Sequence, residues 1–166
     1  AREAFDPAGY YLEPAAGRGD MLDVLRERLP RVVGTDLYDY GRPDILSGCD
    51  FLVDSVPSVG PFDAIITNPP FVTAEAFVHR ALNLVRPETG RVCMFLRMAF
   101  LEGQKRRATL FDRTPLARIW AFSARQSLWR GGVQEEGRSS GAIFFAWFVW
   151  DKAHPVGAPA RISFAD

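Results

Sequence analysis

An amide, two prolines and an aromatic ring stand in a row at Asn68-Pro69-Pro70-Phe71, directly after the apolar run Phe62-Asp63-Ala64-Ile65-Ile66-Thr67. The run has the composition of a buried strand, and neither proline can donate the backbone hydrogen bond that would extend it. The chain must leave the strand in a stiff, extended turn with the Asn68 amide at its mouth. A side-chain oxygen beside free backbone carbonyls is acceptor-rich and suited to gripping an amino group. Phe71 adds a flat apolar face on which a planar target can stack. The same tetrapeptide also ends ordinary loops, so its chemistry depends on what else reaches the same edge.

Three other places supply candidates. The turn Pro14-Ala15-Ala16-Gly17-Arg18-Gly19 follows a short apolar run ending at Glu13, and its glycines allow positive φ and close approach of backbone to a ligand. Dinucleotide-binding folds use the same kind of turn. Asp36 ends the run Arg31–Asp36, 17 residues after Gly19. A carboxylate there can accept from both hydroxyls of a ribose, which fits a nucleoside ligand without choosing among them. Asp50 can accept from an adenine amino group while Phe51 covers the ring, or the pair can be a cap and a core aromatic. Asp44 and Asp54 compete for the Asp50 role but have no aromatic neighbour. Cys49 and Cys93 sit beside apolar runs and read as reduced, packed thiols. With His79 and His154 they form no ligand spacing, so no metal is expected.

The elements that must position these residues alternate. Strands are expected at Tyr10–Glu13, Arg31–Asp36, Ala64–Thr67 and Arg91–Arg97, with Asp50–Val53 a short third strand or its exit. Helices are expected from Asp20, as N-cap, to Leu29 before Pro30, over Thr73–Val85, and over Leu101–Phe111. Strands at Leu116–Phe122 and Gly141–Trp150 close the pattern around a long Gly-, Ser- and Arg-rich connection, Ser123–Gly141, that composition suggests is mobile until substrate binds. Arg161–Phe164 is weakly strand-like. The expected class is α/β, a Rossmann-like, mostly parallel sheet with an antiparallel edge hairpin. In such sheets ligands bind beyond the carboxyl ends of the strands, where every candidate above is found.

At 166 residues the chain fits a single domain, 1–166, with 153–166 a peripheral tail. No apolar stretch has the length of a membrane span and no leader pattern opens the sequence, so a cytoplasmic protein with no membrane partner is expected. Zero net charge hides an asymmetry. Residues 1–96 carry 9 basic and 14 acidic side chains, whereas residues 97–138 carry 9 basic and 4 acidic ones. Eighteen of the twenty basic residues are Arg, the better fork for phosphate. Lys105, Arg106, Arg107, Arg125 and Arg130 are the candidate phosphate contacts.

Asn68-Pro69-Pro70-Phe71 resembles the (Asp/Asn/Ser)-Pro-Pro-(Tyr/Phe/Trp) motif of S-adenosylmethionine-dependent amino-methyltransferases. Glu13-Pro14-Ala15-Ala16-Gly17-Arg18-Gly19 resembles motif I of the adenine-type enzymes, and Asp50-Phe51-Leu52 their motif III. Segments 97–111, 117–123 and 146–150 look like small phage- or prophage-type members, and the likeness covers roughly residues 10–150. The resemblance implies a seven-stranded methyltransferase sheet in the order 3-2-1-4-5-7-6. It implies a site in which Glu13, Pro14, Ala15, Gly17 and Gly19 hold the methionine part of S-adenosyl-L-methionine, with Glu13 toward its ammonium or its waters. Asp36, Asp50, Phe51 and Asn68 would complete the cofactor pocket, and Asn68, Pro69, Pro70 and Phe71 would be catalytic.

The family often carries a further Phe- and Gly-bearing segment ahead of its first strand. Only nine residues precede Tyr10, so the expectation is that this part of the pocket is absent, is supplied by residues 1–9, or is replaced from the 123–141 loop. No separate target-recognition domain is expected, which would leave sequence-specific DNA reading to the 97–141 region or to a partner. Neither cysteine lies in a Pro-Cys context, which argues against cytosine C5 chemistry. The resemblance therefore favours exocyclic N-methylation, of adenine N6 in DNA before RNA guanine or a protein glutamine. An inactive cofactor-binding module is the non-enzymatic alternative, and an NAD-linked oxidoreductase would leave Asn-Pro-Pro-Phe without a task.

Overall fold

Tyr11–Glu13 forms β1 at the centre of the sheet, where all three side chains are buried and a strand is paired on both sides. The computed structural model describes residues 3–53, 61–124 and 143–165. Beyond β1 the chain forms α1 (Asp20–Arg26), β2 (Val32–Thr35), β3 (Ile45–Leu46), β4 (Ala64–Thr67), α2 (Ala74–Leu84), β5 (Arg91–Arg97), α3 (Gln104–Thr109), β6 (Leu116–Phe122), β7 (Phe145–Asp151) and β8 (Arg161–Ala165). The strand order is β3-β2-β1-β4-β5-β7-β6-β8. Strand β7 runs antiparallel to β5 and β6, and the other recorded pairings are parallel.

Two expectations about the sheet are corrected. It has eight strands, not seven, because the weakly patterned segment near the end pairs with β6 over five residues as β8. The antiparallel β6–β7 hairpin is therefore not the edge: β7 lies between β5 and β6, and β8 covers β6 from outside. Residues 161–165 are part of the sheet and not a peripheral tail. Of the two expectations for Asp50–Val53, a third strand or its exit, the structure has the second. The third strand is Ile45–Leu46, and residues 51–53 are a turn after its exit. Asp20 is the first helical residue of α1, with Gly19 as N-cap in the left-handed region (φ 87).

Side chains of opposite parity pack on opposite faces, as a pleated strand requires. On one face Leu12, Ile65, Met94 and Phe148 meet Val78 and Ala81 of α2 and Leu110 beyond α3. On the other, Tyr11, Ala64 and Ile66 meet Leu22 of α1. All four residues of β4 are buried, which explains its unbroken apolar run. Among the described residues no helix is long and apolar enough to cross a membrane.

Candidate functional site

The break in strand sequence falls between β1 and β4, which are adjacent in the sheet although two strands separate them along the chain. Loops leaving β1, β2 and β4 therefore open at one carboxyl edge, the usual ligand position in such a sheet.

Asp36, one residue past β2, ties these loops together. Its Oδ2 accepts the Gly17 N–H at 2.8 Å and its Oδ1 the Tyr38 N–H at 2.9 Å. Its own N–H donates to the Leu46 carbonyl, and its carbonyl accepts from the Cys49 N–H, both at 3.0 Å. The β1 loop is held further by Ala16 N–H donating to the Thr35 carbonyl at 3.0 Å. The side chain is 7% exposed, and each carboxylate oxygen keeps a lone pair for a further donor. Gly17 and Gly19 adopt φ 55 and 87, so the turn uses the freedom that only glycine has readily. A Cβ on Gly19 would also lie 2.6 Å from the Arg42 guanidinium, which is itself held by Asp23 and Asp44.

Glu13 ends β1 with 2% of its surface exposed. Burial, and then the charge of Asp36, push its carboxyl up to about 8. Among the described residues its Oε2 has no hydrogen-bond partner, and neither does the buried Oδ1 of Asn68. Thr35 Oγ1 and Thr67 Oγ1, at the ends of β2 and β4, are orphaned as well. Unsatisfied buried polar atoms are costly and uncommon. Four of them at the ends of three neighbouring strands are what a polar ligand would satisfy, so the residues present fit a nucleoside bearing an amino-acid group. The two threonines were not singled out from sequence, although each directly precedes a residue that was.

Pro69 is buried, Pro70 is exposed and Phe71 begins a short 3-10 turn that leads into α2. The guanidinium carbon of Arg97, the last residue of β5, lies 4.8 Å from the centre of the Phe71 ring. Pro14 is buried and Ala15 half-buried in the β1 loop. Asp50 Oδ1 accepts the Leu52 N–H at 2.9 Å, capping the turn. Phe51 is 2% exposed and packs on Phe77 with centroids 4.8 Å apart, as part of the core on the α2 face.

The basic candidates divide. Arg106 is engaged, donating to the carbonyls of Phe100 and Glu102 at 2.8 and 2.9 Å and lying over the Phe100 ring. It also faces Glu75 at 3.6 Å, which brings α3 beside the start of α2 and hence near Phe71. Lys105 is exposed, and Arg107 is exposed with Asp112 at 3.6 Å. Arg125 and Arg130 lie outside the described residues, as does Asp54. Among the described residues no group of three or more His, Cys, Asp and Glu could hold a metal. A cavity of about 330 Å³ lies elsewhere, on the α1 face of the sheet, lined by apolar groups including Phe5, Trp120 and Trp147. None of Glu13, Asp36 or Asn68 lines it.

No family model matches the sequence, and no curated protein matches it. Solved structures do. The methyltransferase subunit of a type I restriction-modification system from Streptococcus thermophilus superposes with a TM-score of 0.59 at 14% identity, over 86% of this chain and 39% of that one. A candidate class I S-adenosylmethionine-dependent methyltransferase from Listeria monocytogenes gives 0.59 at 13% identity, over 94% and 58%. A hemolysin candidate from Lactococcus lactis gives 0.65 at 9% identity, over 94% and 84%. The chain spans about two fifths of the length of the type I subunits it matches. At these identities the likeness establishes architecture: the chain has the fold of S-adenosylmethionine-dependent methyltransferases.

Proposed function

We propose that this chain is an S-adenosylmethionine-dependent N-methyltransferase acting on an exocyclic amino group, with adenine N6 in DNA as its substrate. The observation that carries the reading is the pair of buried, unpartnered acceptors, Glu13 Oε2 and Asn68 Oδ1, at one sheet edge beside the Gly17–Gly19 turn and Asp36. The fold shared with a type I modification methyltransferase subunit supports it. S-adenosylmethionine, when bound, supplies a methyl group on a sulfonium, an electrophile that needs no activation by the protein.

The residues then have separate tasks. Asp36 has lone pairs left for two ribose hydroxyls, and Glu13 faces the ammonium of the methionine part. Gly17 and Gly19 let the backbone approach that part closely, with Pro14 and Ala15 as the wall. Asn68 Oδ1 and the Pro69 carbonyl accept the two N–H bonds of the target amine. An amine conjugated to a ring is a poor nucleophile because its lone pair is delocalised. Holding both hydrogens out of the ring plane favours a tetrahedral nitrogen, which is stabilisation specific to the transition state. Pro70 stiffens the turn, and Phe71 stacks on the base and fixes its approach. Within a duplex the base must first be flipped out, and Lys105 and Arg107 are exposed cations on the helix beside the site.

The test is transfer of labelled methyl from S-adenosylmethionine into separated DNA, RNA and protein fractions. We expect label in DNA, and Asn68→Ala to lose at least about a hundredfold in rate while binding the cofactor within a few-fold of the parent chain. Label confined to RNA or protein would reject the DNA reading. A fully active Asn68→Ala variant would reject the catalytic assignment.

A further inference from the structure

Arg97 occupies the place where the proposed target must go. Its guanidinium lies over Phe71, the ring assigned to stacking on the substrate, while Phe145 sits 6.0 Å from the same ring, tilted by 36°. The side chain is exposed. Unlike Arg91, Arg106 and Arg118, which each face a carboxylate, it has no carboxylate partner among the described residues. A guanidinium is flat and stacks on aromatic faces much as a base does. In the free protein, therefore, one face of Phe71 is covered by a cation that no carboxylate among the described residues retains.

We propose that Arg97 is a substrate-recognition residue that covers the Phe71 ring until a base arrives and then turns to a phosphate of the same strand. This rests on the N-methyltransferase reading and adds to it that the base is recognised together with a phosphate of its own strand. The surroundings say why the anion must come from the ligand. Val72, next to Phe71, is 99% exposed and apolar, and Phe144, whose carbonyl accepts the Met98 N–H at 2.7 Å beside Arg97, is exposed and apolar too. Glu75, the carboxylate nearest to Phe71 in sequence, is already taken by Arg106 and by the Thr109 hydroxyl at 2.8 Å. Among the described residues Arg97 has no carboxylate partner to which a displaced guanidinium would turn. A neutral glutamine side chain would displace it without giving it a partner, whereas a nucleic-acid strand brings a phosphate with every base.

The experiment measures binding of a short adenine-containing single-stranded oligodeoxynucleotide, and separately of adenosine, against salt concentration. It uses the intact chain, Arg97→Ala and Arg97→Lys, each first titrated with S-adenosylmethionine. We expect Arg97→Ala to bind the cofactor normally and to weaken oligonucleotide binding several-fold. Its log–log salt slope should fall by about 0.7, the single-strand value for one phosphate. Adenosine, which has no phosphate, should bind Arg97→Ala as well as or better than the parent chain, since the ring is uncovered. Arg97→Lys should restore the slope. Equal loss for adenosine and oligonucleotide, or no loss for either, overturns the proposal. So does binding of a glutamine peptide but not the strand by a chain that binds cofactor. A parent chain that fails to bind the cofactor overturns the underlying reading and this inference with it.

Discussion

Glu13 is the residue of the candidate edge whose carboxyl is moved out of its ordinary range, chiefly by burial. A carboxyl raised on folding stabilises the fold fully below its ordinary value, here 4.5, and loses that contribution as pH rises toward about 8. The parent chain should therefore lose stability across that window, and Glu13→Gln should lose less. Urea titrations of both proteins at pH 5 and pH 8 check this, and parallel losses would show that Glu13 is not the group responsible. The same residue makes a prediction about binding. At neutral pH the free Glu13 carboxyl is mostly protonated, and a ligand ammonium beside it favours the charged form. Cofactor binding near pH 7 should then release a proton, seen as a binding enthalpy that changes with the ionisation enthalpy of the buffer. An enthalpy independent of buffer would detach Glu13 from the ammonium.

At the scale of elements, the site depends on how closely α1 lies on β2, because α1 follows directly from the Gly17–Gly19 turn. Gly34, in the middle of β2, permits this: a Cβ there would lie 2.5 Å from Cδ2 of Leu22, which is fully buried. Gly34→Ala should destabilise by about 1–3 kcal/mol, the usual range for overpacking, and Leu22→Ala in the same chain should recover part of that loss. Denaturant midpoints of the two variants and the double mutant decide it; additive losses would mean that the two side chains do not compete. The elements legible in the sequence were those with strong local signals. Strands β4, β5 and β6 are apolar runs bounded by turns, and α2 has apolar residues at helical spacing. Strand β3 was missed because two residues, one of them exposed, carry no periodicity. Its position is set by pairing with Gly34 and Thr35 of β2, a tertiary contact.

At the scale of the molecule, the same difference separates what could be read from what could not. Strand β8 has only weak alternation because its residues are exposed or half-buried, and its existence follows from the free edge of β6. The placement of the candidate residues was legible, since Glu13 ends β1 and Asp36 and Asn68 each stand one residue past a strand. The Arg97–Phe71 contact was not, because it joins the ends of two different strands. Nor was the tie at the opposite edge of the sheet. There Glu3 accepts from Arg118 at 2.7 and 2.9 Å and from the Trp120 indole at 2.8 Å, while Arg118 also donates to Asp151 at 2.9 Å. Burial alone would raise the Asp151 carboxyl, but hydrogen bonds from Arg118 and from the Ala153 N–H, with the charges of Arg118 and Arg91, outweigh it and hold it below its ordinary 3.8. Its contribution is therefore present above that value and lost as pH falls below it. Arg118→Ala should steepen with acid less than the parent chain does in thermal melts from pH 6 to pH 3, and identical acid limbs would remove Asp151 from the account.

The central claim is that the edge formed by Glu13, the Gly17–Gly19 turn and Asp36 holds S-adenosylmethionine. Calorimetric titration of the intact chain and of Asp36→Ala with that cofactor tests it most directly. Saturable one-to-one binding, weakened at least about tenfold in the variant as expected for lost hydrogen bonds to a charged group, is the predicted result. No binding by the intact folded chain, or equal binding by both proteins, would contradict it.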